Sequence, residues 1–186
     1  MSTYRAAQPD ARQRLDEVLA KYHCELVEAG VTIQLLEAFA ARDGNNEPRG
    51  PAIKHHGWPA AATVKINSQK DRVAGMADAT INIDGDAWST RSDAEQIAIL
   101  DHECYHLEIC RTKPKKRKKA GKVYFEGGGE IILDDCCRPK LKMRPHDNQM
   151  GTFDLIAERH GKHSLEAQQV QALGQKKWCQ GILFIG

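Results

Sequence analysis

Apolar residues recur at steps of three and four in the first part of the chain, the spacing of one helical face. The pattern runs from about Asp10 to Arg42, and Gly30 divides it into two predicted helices. The first piece contains Leu15, Val18, Leu19, Tyr22 and Leu26, and the second contains Ile33, Leu36, Phe39 and Ala40. Turn-forming residues from Asp43 to Pro51 predict a loop. Residues 1–50 are therefore predicted to form an N-terminal helical region that ends in this loop.

The hydrophobic period then changes to two, which is typical of strands with one buried face. Val64 and Ile66 alternate with polar neighbours, and so do Ile81 and Ile83. Both segments are predicted strands of a small mixed or antiparallel sheet.

A second long helix is predicted from Ser92 or Asp93 to about Cys110, because either of the first two side chains can cap its N-terminus. Its apolar stripe contains Ile97, Leu100, Cys104 and Leu107. Asp101 could lie on its surface or hold a ligand histidine in place, and we favour the surface position.

The hydrophobic pattern in the last third of the chain predicts shorter helices and strands. Val123–Phe125 and Ile131–Leu133 flank three glycines and predict a hairpin. Phe153–His160 and Leu165–Leu173 predict helices, and the apolar tail Ile182–Ile185 is expected to pack back or to contact a partner. The elements together predict an α+β fold.

Composition narrows the class of protein. The chain has 186 residues, 41% of them hydrophobic and 28% charged, which fits a single globular domain over residues 1–186. No apolar run approaches a membrane span, and the N-terminus shows no secretory signal. The six cysteines form no disulfide framework, so we expect reduced thiols and a cytosolic protein.

The near-neutral net charge conceals an uneven distribution. Eight of the 27 basic residues lie between Arg111 and Lys122 without an acidic residue, so the rest of the chain is acidic. Self-repulsion and Pro114 predict a flexible basic loop over residues 111–122. Such a loop could contact nucleic acid phosphate. The candidate contacts are Lys115, Lys116, Arg117, Lys118 and Lys119.

The strongest chemical signal is the motif His-Glu-x-x-His at residues 102–106. Two histidines four residues apart share one helical face, so both can bind one zinc ion. Glu103, beside the first ligand, is then placed to act as the general base for a metal-activated water.

A catalytic zinc ion needs a third protein ligand. The metzincin pattern is excluded, because Ile109 and Thr112 stand where that pattern requires glycine and histidine. We favour His146, which follows the predicted hairpin and whose neighbour Asp147 could orient a ligand histidine. The spacing leaves other candidates open, namely Asp154, Glu158, Glu166, His160 and His163. His55 and His56 are expected to be a surface pair.

The sequence resembles the putative phage metallopeptidases from about Gly57 to Ala172. The resemblance includes Ala77–Ile83 before Trp88, the segment Ala98–Leu107, and Arg144–Asp147 with the helix that follows. It implies a zincin-like fold, distantly similar to the SprT-like and Spartan proteases. It also implies that His146 is the third zinc ligand.

These observations predict a phage or prophage zinc peptidase that acts on peptide or protein substrates in the cytosol of a bacterial host. His102, His106 and His146 would hold Zn²⁺, and Glu103 would act as the base. His160 could line the cleft and stabilise an oxyanion, or simply end its helix before Gly161. The alternative function is a phage-encoded binding protein with a structural zinc site, which would engage nucleic acid or a host protein.

Overall fold

A computed structural model describes residues 2–55, 57–119, 122–147 and 151–172. Its first half contains β1 (Thr3–Ala6), α1 (Pro9–Tyr22), α2 (Cys24–Glu28), β2 (Ile33–Phe39), β3 (Lys54–His55), β4 (Trp58–Pro59), β5 (Ala62–Ile66), α3 (Gln69–Val73), β6 (Ala79–Asp84) and α4 (Gly85–Trp88). Its second half contains α5 (Asp93–Tyr105), β7 (Leu107–Ile109), β8 (Lys115–Lys119), β9 (Lys122–Glu126), β10 (Leu141–Met143), α6 (Asp154–His160) and a 3-10 turn, Gly161–His163. Residues 165–172 are also helical. The fold class is α+β, as predicted.

A four-stranded mixed sheet, in the order β1-β2-β6-β5, forms the centre of the fold. β2 and β6 are parallel, and the two outer pairs are antiparallel. Ile81 and Ile83 of β6 are fully buried, which agrees with the period of two in the sequence. β5 is an edge strand, and its position beside α5 matters for the site described below.

The N-terminal helical prediction is correct only as far as Glu28. The segment from Ile33 to Phe39 is strand β2, not a second helix. Ile33 pairs with Ala79 of β6, and β1 covers the other edge of β2. A central strand is apolar on both faces, so its hydrophobic spacing can imitate that of a helix.

Helix α5 begins as predicted. The Ser92 hydroxyl accepts the Glu95 backbone N–H, and the Glu95 carboxylate accepts the Ser92 backbone N–H, which is a capping box. The helix ends at Tyr105, before the predicted end, because residues 107–109 form strand β7. α1 packs against α5. The buried side chains of this core include Leu15, Val18, Ile99, Leu100 and Cys104.

The basic segment is a strand rather than the flexible loop that the sequence predicted. Lys115–Lys119 pairs antiparallel with Lys122–Glu126. The predicted pairing of Val123–Phe125 with Ile131–Leu133 is therefore also wrong. Adjacent residues of a strand point to opposite faces, so the extended backbone separates neighbouring positive charges.

The C-terminal part of the described chain contains two further helical segments. α6 starts at Asp154 and ends at His160, close to the predicted bounds. Residues 165–172 are helical, as predicted, and the apolar tail 182–185 lies outside the described residues. None of the helices in the described part of the chain combines the length and apolar character that a bilayer span requires.

Candidate metal centre

The two motif histidines lie at the C-terminal end of α5. His102 is in its last turn, and His106 caps the helix. Their ring centroids are 5.1 Å apart. The sequence spacing thus brings both imidazoles to one face of the helix, as expected.

Strand pairing brings a third histidine, His146, to the same place. β10 pairs antiparallel with β7 directly after α5, and the Arg144 backbone N–H donates to the carbonyl of His106 at 2.7 Å. The Nε2 atoms of His146 and His102 are 3.3 Å apart. The candidate ligand nitrogens of all three histidines lie within 4.8 Å of one another, so the group could hold a metal ion.

One buried aromatic ring packs against all three histidines. Phe153, which precedes α6 and is fully buried, has its ring centroid 5.0 Å from that of His102 and 4.8 Å from those of His106 and His146. This apolar contact limits the positions that the imidazole rings can adopt, and it lowers the local dielectric around them.

The model of the putative phage metallopeptidase family matches residues 3–176. The chain belongs to this family. No curated protein and no solved structure matches the chain. The family description names a metal-dependent peptidase, which is the class of function that the sequence predicted.

Hydrogen-bond partners hold the outer nitrogens of two of the three histidines. Nδ1 of His106 donates to the carbonyl of Arg144 at 2.9 Å. Nδ1 of His102 lies 2.6 Å from Oε1 of Glu166, which is 3% exposed. A hydrogen bond at Nδ1 leaves Nε2 available as a ligand and sets the ring orientation.

The protonation of the three histidines follows from their surroundings. Burial lowers the pKa of His106 to about 4 and also lowers the pKa of His146. Burial alone would lower the pKa of His102 too, but its hydrogen bond with Glu166 and the nearby carboxylates raise it overall. Only a neutral imidazole binds a metal, so His106 and His146 are ready ligands at neutral pH. Any proton on His102 would have to leave before its Nε2 binds a metal.

Glu103 is 6% exposed and borders the same cleft. Burial raises its pKa to about 7, against the smaller opposing effects of His102 and of a hydrogen bond from the Val64 backbone. A carboxylate with a pKa near neutrality can both take up and release a proton at that pH.

The three histidines open into a cleft of about 940 Å³. Its lining includes residues of the β3–β4 hairpin and of the edge strand β5, together with Pro145, Leu165 and Gln169. His55 lines this cleft as well, and it is exposed. Its partner in the expected surface pair, His56, lies outside the described residues. Lys115, Lys116, Arg117 and Lys118 of β8 do not line the cleft.

Several candidate site residues lie elsewhere. Oδ2 of Asp147 accepts the Asp154 backbone N–H at 3.0 Å, at the start of α6. Asp154 and Glu158 are exposed, and neither belongs to the three-histidine group. His163 lies in the 3-10 turn and is also outside that group.

His160 belongs to a buried network behind the site and does not line the cleft. Its Nε2 lies 2.8 Å from Oδ2 of Asp101. Asp101, expected on the surface, is fully buried and is also bound by His23 at 2.6 Å and by Arg159 at 3.0 Å. Burial alone would raise the pKa of Asp101, but these partners hold it well below its usual range. The network joins α5 and α6 to His23, which lies between α1 and α2.

The sequence did not predict where two residues of the site lie, Glu166 and His55. Glu166 was considered only as a zinc ligand, yet it contacts His102 at Nδ1. His55 precedes the motif by almost fifty residues, and no periodicity connects it to the histidines with which it lines the cleft.

Proposed function

We propose that the protein is a zinc-dependent peptidase with a zincin-like fold, in which His102, His106 and His146 bind the zinc ion. The observation that carries the proposal is the convergence of these three imidazoles within 4.8 Å. Three neutral nitrogen ligands are a donor set of catalytic zinc sites, which keep the fourth position open. The Nδ1 partners of His102 and His106 support the proposal, because they fix the tautomers that ligation needs.

Zinc held there would supply Lewis acidity and lower the pKa of a bound water. Glu103 then acts as the general base. It accepts a proton from water as the water attacks the peptide carbonyl, and it passes this proton to the leaving amine.

The edge strand β5 offers a place for an extended peptide substrate. The backbone carbonyl of Ala61 accepts the Asp84 N–H, and the Asn67 N–H donates to the carbonyl of Asp78. The backbone N–H and C=O groups of the odd-numbered residues from 61 to 67 therefore point toward β6. The peptide groups of Ala62 and Val64 point the other way, and both residues line the cleft. The Val64 N–H bonds to Glu103, so a substrate could use the Val64 carbonyl and the peptide groups of Ala62. A substrate backbone laid along this edge would be positioned by main-chain hydrogen bonds, which do not depend on its sequence.

The reaction would take place in the cytosol of a bacterial host. The described cysteines, Cys24, Cys104, Cys110, Cys136 and Cys137, form no disulfide with one another, which is the state that a reducing compartment maintains.

The alternative is a binding protein with a structural zinc ion. A structural site is normally closed by four protein ligands. In the part of the chain that the structure describes, the group of metal-binding side chains has three members, and Glu103 borders the same cleft. These two features favour the enzyme.

The substitution Glu103→Gln tests the proposal. Zinc-loaded wild type is incubated with a bacterial cytosolic extract, and new peptide N-termini are labelled and identified by mass spectrometry. We expect the variant to retain zinc and to cleave about 100- to 10,000-fold more slowly, the usual contribution of a general base.

Glu158→Gln is the matched control, because Glu158 is exposed on α6 and should leave cleavage unchanged. Equal cleavage by the Glu103 variant would refute the assigned base. No cleavage by zinc-loaded wild type, in the extract or of an unfolded protein such as casein, would refute the peptidase.

A further inference from the structure

The β8–β9 hairpin carries the longest unbroken run of basic residues in the sequence, residues 115–119. Residues 115–126 contain six basic residues and one acidic residue, Glu126, and Arg117 forms an ion pair with it at 3.2 Å. The rest of the chain carries more acidic than basic residues. This distribution orients the hairpin toward a polyanion and the body away from it.

The strand geometry distributes the charge over both faces of the ribbon. Lys115 and Arg117 point to one face, and Lys116 and Lys118 point to the other, because side chains alternate along a strand. All four are exposed. A flat anionic surface, such as a lipid bilayer, could contact only one of these faces at a time.

The face with Lys116 and Lys118 also presents apolar side chains. Phe125 pairs with Lys116, and Val123 pairs with Lys118. Opposite residues of an antiparallel pair lie on the same face. Phe125 is 66% exposed and Val123 is 46% exposed, so both are available for contact with a partner.

The base of the ribbon is held by a continuous series of backbone contacts. The Thr112 N–H donates to the Glu130 carbonyl at 2.8 Å, and the Gly129 N–H donates to the Thr112 carbonyl at 2.9 Å. A Cβ on Gly128 would lie 2.6 Å from the backbone N of Pro114, so the chain passes closely over itself there. The ribbon is thus presented as an ordered arm.

We propose that the β8–β9 hairpin binds double-stranded DNA by entering the major groove. The two strands of such a ribbon are about 4.8 Å apart, and the major groove of B-DNA, about 12 Å wide, admits a two-stranded ribbon. Phosphates line both walls of the groove, which matches basic side chains on both faces. The deep, narrow major groove of A-form RNA does not admit side chains.

The contacts divide into two kinds. Lys115, Lys116, Arg117 and Lys118 bind phosphates and supply affinity without sequence preference. Phe125 and Val123 share the face of Lys116 and Lys118 and add apolar contact area there. The inference does not rest on the proposed peptidase activity.

Fluorescence anisotropy with a labelled 20-base-pair DNA duplex, measured over a salt series, tests the proposal. The variant Lys115→Gln/Lys116→Gln/Arg117→Gln/Lys118→Gln removes four charges. Its slope of log affinity against log salt should be shallower by about 3.6, and its affinity at 0.1 M salt should fall by at least about 100-fold. The control Lys21→Gln/Lys70→Gln/Lys140→Gln/Lys162→Gln has the same net charge and should keep most of the affinity. Thermal midpoints of both variants verify that the fold is retained.

Two double variants test insertion into the groove. Lys115→Gln/Arg117→Gln and Lys116→Gln/Lys118→Gln each neutralise one face, and each should lower the slope by about 1.8. Loss confined to one of them would show contact with a flat surface and overturn the proposal. An equal loss in the control, equal affinity for an RNA duplex, or tighter binding to vesicles of anionic lipid would overturn it as well.

Discussion

Glu166 tests how the surroundings of the histidines set the metal affinity. Its carboxylate lies 2.6 Å from Nδ1 of His102, and its second oxygen has no hydrogen-bond partner among the described residues. Burial alone would raise the pKa of Glu166, but the bond with His102 lowers it overall. An ionised carboxylate here makes the ligand imidazole more basic and fixes its tautomer.

Two substitutions separate the charge from the hydrogen bond. Glu166→Gln keeps the volume and an acceptor oxygen but removes the charge, whereas Glu166→Ala removes both. Loss of such a partner costs about 10- to 100-fold in metal affinity. We expect Glu166→Gln near the lower value and Glu166→Ala near the upper one, equivalent to about 1.4 and 2.7 kcal/mol.

Zinc competition with a chromophoric chelator at neutral pH measures these affinities. Glu158→Gln serves as the control, since it removes an exposed carboxylate from the neighbouring helix α6. The reasoning is refuted if both Glu166 variants bind zinc as tightly as the wild type, or if the control weakens binding as much as they do.

Two further predictions concern stability. Asp101→Asn should reduce the free energy of unfolding by about 3 to 5 kcal/mol, because it breaks a buried ion pair with Arg159. Because the pKa of Asp101 is lowered in the folded state, its carboxylate stabilises the wild type above the unfolded pKa of about 3.9. This contribution is lost as the pH falls below that value. Urea unfolding measured over this pH range should therefore depend less on acid in the variant. The raised pKa of Glu103, about 7, has the opposite sign, so metal-free protein should lose about 3 kcal/mol of stability between about pH 4.5 and 7. Urea unfolding of metal-free Glu103→Gln should lack this loss, and an identical pH dependence would contradict the assignment.

The elements that local signals specify could be predicted from the sequence. The period of two at Val64 and Ile81 gave two strands of the central sheet, and the cap at Ser92 gave the start of the motif helix. The two motif histidines follow from their spacing alone, since four residues are one helical turn. His146 required both a chemical argument and the family resemblance.

The secondary-structure predictions that were wrong concern segments whose structure depends on contacts with distant parts of the chain. Ile33–Phe39 became a strand because β6 and β1 flank it. The basic segment 115–119 became a strand because Lys122–Glu126 pairs with it. Neither partner can be deduced from the local pattern of either segment.

The buried polar residues were missed for the same reason. Asp101 finds His23 and Arg159 at separations of 78 and 58 residues, and Glu166 finds His102 at a separation of 64. On a helical pattern an acidic residue without a visible partner is normally assigned to the surface. Only the tertiary structure supplies the partners.

Zinc stoichiometry tests the central claim most directly. Metal analysis of the purified protein, after incubation with excess zinc and desalting, should give one zinc ion per chain for the wild type and for the control His163→Ala. His102→Ala, His106→Ala and His146→Ala should each lose the ion while retaining the helical circular dichroism of the wild type. A His146 variant that keeps a full equivalent of zinc would contradict the three-histidine site.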